Sequence, residues 1–185
     1  GAEAHPADRV VVTVPAPQVA GLIGADHPLA GEVAAVTIAP CMTLMAAFPA
    51  GSPAPFVSYK PQAGPLSWIA RDSSKPDRPD TAVTWIAHAG PDWSAAHLEE
   101  DKASLARRML PLLCEVIGTD PGDALYTDAH RWRYARVTAP LGRPFLRDAT
   151  GTLHLGGDWC LGPRVEAAWQ SGTAIAQDIL SGGDA

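Results

Sequence analysis

The sequence predicts an α+β fold with a mixed, largely antiparallel sheet between about Ala34 and Val137 and helices on one side of it. Short β-branched and apolar runs between Pro- and Gly-rich turns predict the strands, as in Leu66 to Ala70 and Thr81 to His88. Periodic apolar segments beginning near Trp93 and Arg164 predict the main helices. The 185 residues are 46% hydrophobic and 18% charged, which is enough apolar content for a packed core.

The first half of the chain is predicted to be rich in strands. The valines of Asp8 to Val14 form too continuous an apolar run for an exposed strand, so a buried strand is predicted. Pro15 and Pro17 end it, and Pro17 suits the first turn of a short helix, Gln18 to Ile23. The elements that follow are a strand pair or one strand interrupted at Pro40 (Ala34 to Ala47), a turn (Ala50 to Pro55), strands Phe56 to Tyr59 and Leu66 to Ala70, a polar loop (Arg71 to Asp80) and an alternating strand, Thr81 to His88.

In the second half, helices and strands are both predicted. A helical region begins at Trp93 with Ser94 as its N-cap, and Pro111 is expected to kink or divide it near Arg107. A strand (Leu125 to Val137), a hairpin (Phe145 to Leu155, turning at Ala149-Thr150-Gly151) and a last helix (Arg164 to Leu180, ended by Gly182-Gly183) follow. The apolar positions of that helix, spaced three and four apart, are Val165, Ala168, Trp169, Gly172, Ala176 and Ile179.

Composition excludes several classes of function. The formal net charge is −6 and no basic patch is present, so nucleic acid is not an expected partner. No apolar run has the length of a membrane span, so no membrane association is expected. Cys41, Cys114 and Cys160 are widely spaced without a C-x-x-C motif, and the histidines lack metal-ligand spacing. We therefore expect reduced thiols, a cytoplasmic protein and no metal site.

The most informative segment lies near the C-terminus. A short apolar strand, Leu153 to Leu155, leads into Gly156-Gly157-Asp158 and then into the last helix. Glycines let a ligand approach the backbone, a carboxylate accepts hydrogen bonds from hydroxyl groups, and free N–H groups at a helix start attract an anion. This arrangement predicts a site for the phosphate or ribose of a nucleotide cofactor. The usual partner motif, G-x-G-x-x-G, is absent, because the first strand leads into Pro15-Ala16-Pro17 instead.

Three motifs together resemble a known family. They are Gly-Gly-Asp-Trp-Cys at 156–160, His-Arg-Trp-Arg-Tyr-Ala at 130–135, and Leu-Ser-Trp-Ile-Ala-Arg-Asp-Ser-Ser-Lys-Pro at 66–76. In this order they resemble the C-terminal portion of bacterial renalase-like FAD-dependent oxidoreductases, within the flavin amine oxidase superfamily, and the likeness runs from about Asp8 to Leu180. It implies three segments: a partial FAD-domain strand and helix at 1–30, a substrate-binding domain at 31–145, and a return to the FAD domain at 146–185.

The resemblance also implies which residues contact FAD. They are Gly157, Asp158, Trp159, Arg164, Val165 and Glu166, with Asp158 facing the ribityl hydroxyls or the pyrophosphate and the start of the last helix facing the flavin ring. Two of these residues also have a purely structural explanation. Asp158 could be a turn residue that caps the next helix. Glu166 could be a first-turn carboxylate that interacts favourably with the helix dipole.

A row of aromatic residues suggests where a substrate binds. His130, Trp132 and Tyr134 fall on one face of a strand because successive side chains alternate in direction. Such a row could line a flat pocket that stacks a nicotinamide-like ring, and Trp68 could form another wall. The alternative is a half-buried aromatic strand with no ligand. No side chain is assigned a catalytic role, and no metal ligand is assigned.

Two functions are consistent with the sequence. The first is that of an FAD-dependent oxidoreductase, in which hydride passes from a dihydronicotinamide-like or amine substrate to the flavin and oxygen reoxidises it. The second is that of a non-catalytic substrate-domain fragment that binds a small planar ligand or a partner chain. Without a glycine-rich segment to cover them, the first strand and last helix should expose apolar surface. We therefore expect an oligomer or pairing with the missing N-terminal half, besides a small-molecule substrate.

Overall fold

The computed structural model describes residues 5–182, which form two compact units. The end unit combines the N-terminal segment up to Ile38 with the C-terminal segment from Arg136 onward. The middle unit is Ala39–Ala135. The functional segments predicted above, 1–30, 31–145 and 146–185, follow the same order along the chain and stay a prediction.

The end unit joins the two ends of the chain through one strand pair. Its elements are β1 (Val10–Val12), α1 (Ala16–Ile23), α2 (Pro28–Val33), β7 (Leu146–Arg147), β8 (Leu153–Leu155) and α5 (Val165–Ser181). Strand β1 pairs in parallel with β8, with Val11 opposite His154, and β7 pairs with β8 in an antiparallel hairpin. The prediction that the first strand and the strand before Gly156 lie side by side is confirmed.

Strand β1 differs from its prediction in exposure. Val10 and Val11 are 47% and 44% exposed, so the prediction of a buried strand is wrong for the described residues. The reason is that β1 is an edge strand in the order β1-β8-β7, with β8 on one side only. Helix α2 was not predicted, although Pro28 at its first turn and His27, whose Nδ1 accepts a hydrogen bond from the Leu29 amide, are recognisable start signals.

Helix α5 has the predicted bounds within one residue, and it exposes apolar surface as expected. The positions that pack inward are Ala167, Ser171 and Ile175, spaced four apart. The apolar positions at Val165 and Trp169 are instead 89% and 64% exposed. Gly156 packs closely against the helix at Ser171 and Ile175, and this contact sets which face of α5 points inward.

A buried histidine ties β8 to α5. His154 lies in the interior, and its Nε2 is 2.9 Å from the carboxylate of Asp178 on α5. The Arg147 guanidinium on β7 contacts the same carboxylate at 3.2 Å. The hydrogen bond from His154, followed by that from Arg147, lowers the pKa of Asp178 below its ordinary value.

The middle unit is built on a five-stranded sheet in the order β3-β4-β5-β2-β6. The strands are β2 (Thr37–Pro49), β3 (Ser58–Tyr59), β4 (Leu66–Arg71), β5 (Ala82–Ala89) and β6 (Tyr126–Ala139). The pairs β3–β4, β4–β5 and β5–β2 are all antiparallel, which confirms the predicted kind of sheet. One face packs against α4 (Lys102–Ile117) around a core of Met42, Leu44, Phe48, Ile69, Trp85, Leu105, Met109, Leu113 and Ile117.

The predicted boundaries of the helical region need three corrections. Ser94 is not an N-cap: it lies inside α3 (Pro91–Ala96), where its buried hydroxyl accepts a hydrogen bond from the Met42 amide. Asp101 caps α4 instead, because its carboxylate accepts from the Ser104 amide. Pro111 does not divide α4, whose apolar face packs against the sheet on both sides of the proline.

Two further features complete the fold. Strand β2 continues through Pro40, so the alternative of one long strand is the correct one and the strand pair is not. No helix within residues 5–182 is long and apolar enough to cross a membrane.

The packing of Gly156 gives a first prediction. A Cβ at this position would lie 2.5 Å from Ile175 Cδ1 and 2.7 Å from Ser171 Oγ. We expect Gly156→Ala to lower the free energy of unfolding by about 1–3 kcal/mol through overpacking. Gly172→Ala is the matched control, since nothing lies within 4 Å of its added Cβ and alanine favours a helix. Denaturant unfolding that finds the two variants equally stable would contradict the packing described here.

The core thiols give a second prediction. Burial raises the pKa of Cys114 in the middle unit and of Cys160 in the end unit to about 11, from an ordinary 9.0. Between about pH 9 and pH 11, the folded chain keeps these protons while the unfolded chain loses them. The contribution of the two thiols to the stability of the folded chain is therefore complete below about pH 9 and is lost as the pH rises through about 11.

Urea unfolding between pH 8 and pH 11 measures this effect. The parent should lose stability more steeply with pH than the Cys114→Ala/Cys160→Ala variant, which lacks both thiols. Equal slopes in the two proteins would show that the thiols ionise alike in the folded and unfolded states.

Candidate functional site

The Gly156-Gly157 turn is fixed by packing within the end unit. The Gly156 amide donates to the Val12 carbonyl at 3.0 Å, and the Gly157 amide donates to Ser171 Oγ at 3.0 Å. Gly157 has φ +152°, and a Cβ there would lie 2.7 Å from Trp159 Nε1. Both glycines are therefore required by the turn itself, whether or not a ligand approaches the backbone.

Asp158 begins a short 3-10 turn, Asp158–Cys160, directly after the glycines. Its side chain is partly exposed, and within residues 5–182 its carboxylate makes no hydrogen bond. The capping alternative is not realised, because the residue at the N-cap of α5 is Arg164 and no side chain caps that helix. The geometry leaves the Asp158 carboxylate available to accept hydrogen bonds from a bound molecule.

Trp159 and Cys160 are accounted for by the core. The Trp159 indole is buried, and its Nε1 donates to the Val14 carbonyl at 3.1 Å. This burial favours a packing role for the Trp159 side chain over contact with a cofactor. The Cys160 thiol is also buried, and its raised pKa makes it a poor nucleophile near neutral pH.

The start of α5 is open. Arg164, Val165 and Glu166 are all exposed, and no side chain accepts a hydrogen bond from the first amides of the helix. An uncapped start of a long helix carries free N–H groups and the positive end of the helix dipole. The Asp158 carboxylate can accept hydrogen bonds from the hydroxyl groups of a ligand, and the free amides of α5 can donate to an anionic or electron-rich edge. FAD offers both kinds of group. The exposed position of Glu166 is equally consistent with a carboxylate that only interacts with the helix dipole and contacts no cofactor.

The middle unit has one sheet face that its helices leave uncovered. The residues of β2, β5 and β6 that alternate with the core, such as Thr43, His88 and His130, point away from α4 because side-chain direction has a period of two. The open face, as we call this surface, carries Cys41, Thr43, Met45, Trp68, Ala70, Thr84, Ile86, His88, Asp128, His130, Trp132 and Tyr134. All four predicted substrate-binding residues, Trp68, His130, Trp132 and Tyr134, therefore share this face.

The aromatic residues of the open face form two groups. On β6, the rings of His130 and Trp132 lie 4.3 Å apart between centroids, and Trp132 is exposed. On β4, Trp68 lies 5.0 Å from the ring of His88 on β5. Strands β5 and β2 separate β4 from β6, so Trp68 stands roughly 14 Å from the residues of β6 at the usual strand spacing. The two groups can therefore contact opposite parts of one ligand, but they do not form a single stack.

Three further residues of the open face, His88, Thr43 and Cys41, were not among the predicted substrate-binding residues. Thr43 and Cys41 lie on β2, between β6 and the pair formed by Trp68 and His88, and the register places Thr43 opposite His88. The alternation in Thr81 to His88 could have placed His88 on this face. If Trp85 is assigned to the core, His88 must point to the opposite side of the sheet. Within the described part of the chain, no cluster of three or more His, Cys, Asp or Glu side chains could hold a metal ion.

Comparisons with solved structures give the same fold. A putative protoporphyrinogen oxidase from Exiguobacterium matches at a TM-score of 0.72 and 17% identity, over 95% of this chain and 42% of its own. Wild-type putrescine oxidase bound to putrescine matches at 0.63 and 13%, over 94% and 42%. Cyclohexylamine oxidase from Brevibacterium oxydans matches at 0.59 and 18%, over 92% and 43%. The chain thus spans less than half the length of these proteins.

A family model gives the assignment. The model described as flavin containing amine oxidoreductase matches residues 1–180, nearly the whole chain. Members of this family depend on FAD, and the FAD-facing residues inferred above fall inside the match. The chain belongs to the flavin-containing amine oxidoreductase family.

Proposed function

We propose that this chain supplies the substrate-binding sheet and the flavin-binding return segment of an FAD-dependent oxidoreductase of the renalase or amine oxidase type. The observation that carries the proposal is the turn after β8. There a partly exposed carboxylate, Asp158, has no partner within residues 5–182 and stands before the uncapped start of α5. A family match over residues 1–180 supports a flavin as the group that this turn holds.

Each part of the chain has a separate task in this proposal. The Asp158 carboxylate accepts hydrogen bonds from cofactor hydroxyls, and the first amides of α5, at Val165 and Glu166, stabilise negative charge on the flavin. The Gly156-Gly157 turn holds both in place. FAD, when bound, takes two electrons and hydrogen from the substrate and is reoxidised by dioxygen, which becomes hydrogen peroxide.

The open face binds the substrate in this proposal. Trp68, Trp132 and Tyr134 offer flat rings, and His130 offers a hydrogen-bonding edge beside Trp132. The renalase-like motifs favour a dihydronicotinamide-like compound. The putrescine and cyclohexylamine oxidases among the similar structures favour an amine.

A glycine-rich segment is needed to complete the flavin site. No G-x-G-x-x-G motif occurs in the 185 residues, and the similar oxidases are more than twice as long. The exposed valines of β1 and the exposed Val165 and Trp169 of α5 offer an edge and an apolar surface for such a segment, or for a second copy. We propose that the end unit pairs with one of them.

The alternative is that the chain binds a planar ligand or a partner without catalysis. The same exposed edge and helix surface favour it, because they would serve any docking chain equally well. Flavin absorbance that copurifies with the chain and its glycine-rich complement would decide for the oxidoreductase. A colourless complex that binds no added FAD would decide for the alternative.

Flavin retention tests the role of Asp158. In the flavin-bearing protein, Asp158→Ala should weaken FAD binding roughly ten- to hundredfold, because a charge-assisted hydrogen bond contributes about 1.5–3 kcal/mol. Asp26→Ala, at an exposed position of the same unit, is the control and should bind FAD like the parent. The role is refuted if flavin titration gives Asp158→Ala the affinity of the parent.

Anaerobic flavin reduction tests the role of the open face. His130→Ala and Trp132→Ala should keep the parental FAD content and slow the reduction of flavin by substrate, because they remove contacts to substrate and none to the cofactor. Arg108→Ala, an exposed position on α4 that pairs with Glu100, serves as the control. Parental reduction rates in both strand variants would remove substrate binding from this part of the sheet.

A further inference from the structure

Ser171 is the one polar residue on the buried face of α5. That face consists of Ala167, Ser171 and Ile175, and Ser171 is 0% exposed. Alanine forms helices more readily than serine, and it would occupy this position without burying a hydroxyl group. Packing and helix formation therefore do not explain why a hydroxyl group lies here.

The hydroxyl of Ser171 contacts both ends of the short turn that carries Asp158. Its oxygen accepts a hydrogen bond from the Gly157 amide at 3.0 Å, on one side of Asp158. Cys160 lies on the other side. Burial raises the pKa of the Cys160 thiol, and a hydrogen bond from Ser171 opposes this rise. A serine hydroxyl accepts and donates at once, so Ser171 can bind Gly157 and Cys160 together.

The backbone at Gly157 needs a contact of this kind. Gly157 has φ +152°, and no side chain of its own restricts its conformation. The Cys160 amide donates to the Gly157 carbonyl at 3.2 Å, which closes the turn on itself but does not attach it to the rest of the unit. Among residues 5–182, Ser171 makes the one side-chain hydrogen bond to the backbone of 156–160. The direction in which the chain enters Asp158 therefore depends on this bond.

These contacts give Ser171 a role at a distance from the ligand. We propose that Ser171 is a positioning residue for the flavin: by binding the Gly157 amide, its hydroxyl holds the Asp158 carboxylate where that group accepts hydrogen bonds from the cofactor. Because Ser171 is fully buried, its effect on FAD acts through the turn. The proposal rests on the proposed function, since it requires that Asp158 binds FAD.

A double-mutant cycle tests this role. In the chain with its glycine-rich complement, Ser171→Ala should weaken FAD binding about three- to tenfold in a flavin titration, because Asp158 loses its orientation. In the Asp158→Ala background, the same substitution should change FAD affinity by less than about twofold, because the group it orients is gone. Equal losses in the two backgrounds would show that Ser171 only supports the fold, and they would overturn the proposal.

Ser181→Ala is the matched control on the same helix. Ser181 is exposed near the far end of α5, where its hydroxyl donates to the Gln177 carbonyl. This variant should bind FAD like the parent. A loss of affinity as large as that of Ser171→Ala would overturn the proposal, because any serine of α5 would then have the same effect.

Hydrogen exchange of the 185-residue chain without FAD gives a second measurement. Ser171→Ala should speed exchange in the peptide spanning 156–162, because the Gly157 amide loses its acceptor, and should leave exchange in the α4 peptide at 102–117 unchanged. Unchanged exchange at 156–162 would show that the turn does not depend on Ser171, and it would overturn the proposal.

The outcomes separate this inference from the proposed function. If the parent binds FAD through Asp158 and Ser171→Ala binds it equally well, the proposed function stands and this inference fails. If the parent takes up no FAD, the proposed function fails. The inference then fails with it, even where exchange shows that Ser171 holds the turn.

Discussion

The parallel pairing of β1 with β8 is the constraint on which the end unit depends. It joins segments from the two ends of the chain, and the whole middle unit is the connection between them. Parallel strands need such a crossover, since no tight turn can link them. Strand β8 ends at Gly156, whose amide bonds to Val12 on β1. The pairing therefore fixes where the Gly-Gly-Asp turn lies.

The position of this turn decides which of its polar groups are left without a partner. Because Gly156 has no Cβ, helix α5 approaches closely enough for Ser171 Oγ to accept the Gly157 amide. That contact and the buried Trp159 hold the backbone on either side of Asp158. Asp158 itself is left without a partner among the described residues, next to an uncapped helix start. Close packing on both sides thus fixes the backbone around a carboxylate that has no partner among the described residues.

Much of this fold could be predicted from the sequence. The antiparallel sheet, the hairpin before Gly156 and the last helix follow from alternation, turn residues and helical periodicity, and the family motifs placed the two chain ends together. The inward face of α5 could not be predicted, because it is set by the close approach of Gly156 to Ser171 and Ile175, which is a tertiary contact. The run of valines in β1 predicted a buried strand, but it does not show which segment covers that strand. The exposure of β1 agrees with the expectation that the strand lies uncovered without a glycine-rich segment.

The candidate site was predictable to a different extent. Alternation along β6 placed His130, Trp132 and Tyr134 on one face, and the sheet has them there. His88 was not singled out, since only the register sets it beside Trp68 and Thr43, and register is not visible in one strand alone. The same register separates Trp68 from the β6 residues by two strands. The two pocket walls expected from the sequence therefore lie on one broad sheet face in the structure.

Hydrogen exchange tests the central claim, that the segment from Gly156 to Ala167 holds the flavin. The chain, together with its glycine-rich complement, is labelled in deuterated buffer with and without FAD, and peptides are compared by mass. We expect FAD to slow exchange in the peptide spanning 156–167 and to leave exchange in the α4 peptide at 102–117 unchanged. Unchanged exchange at 156–167 while FAD slows exchange elsewhere in the chain would contradict it.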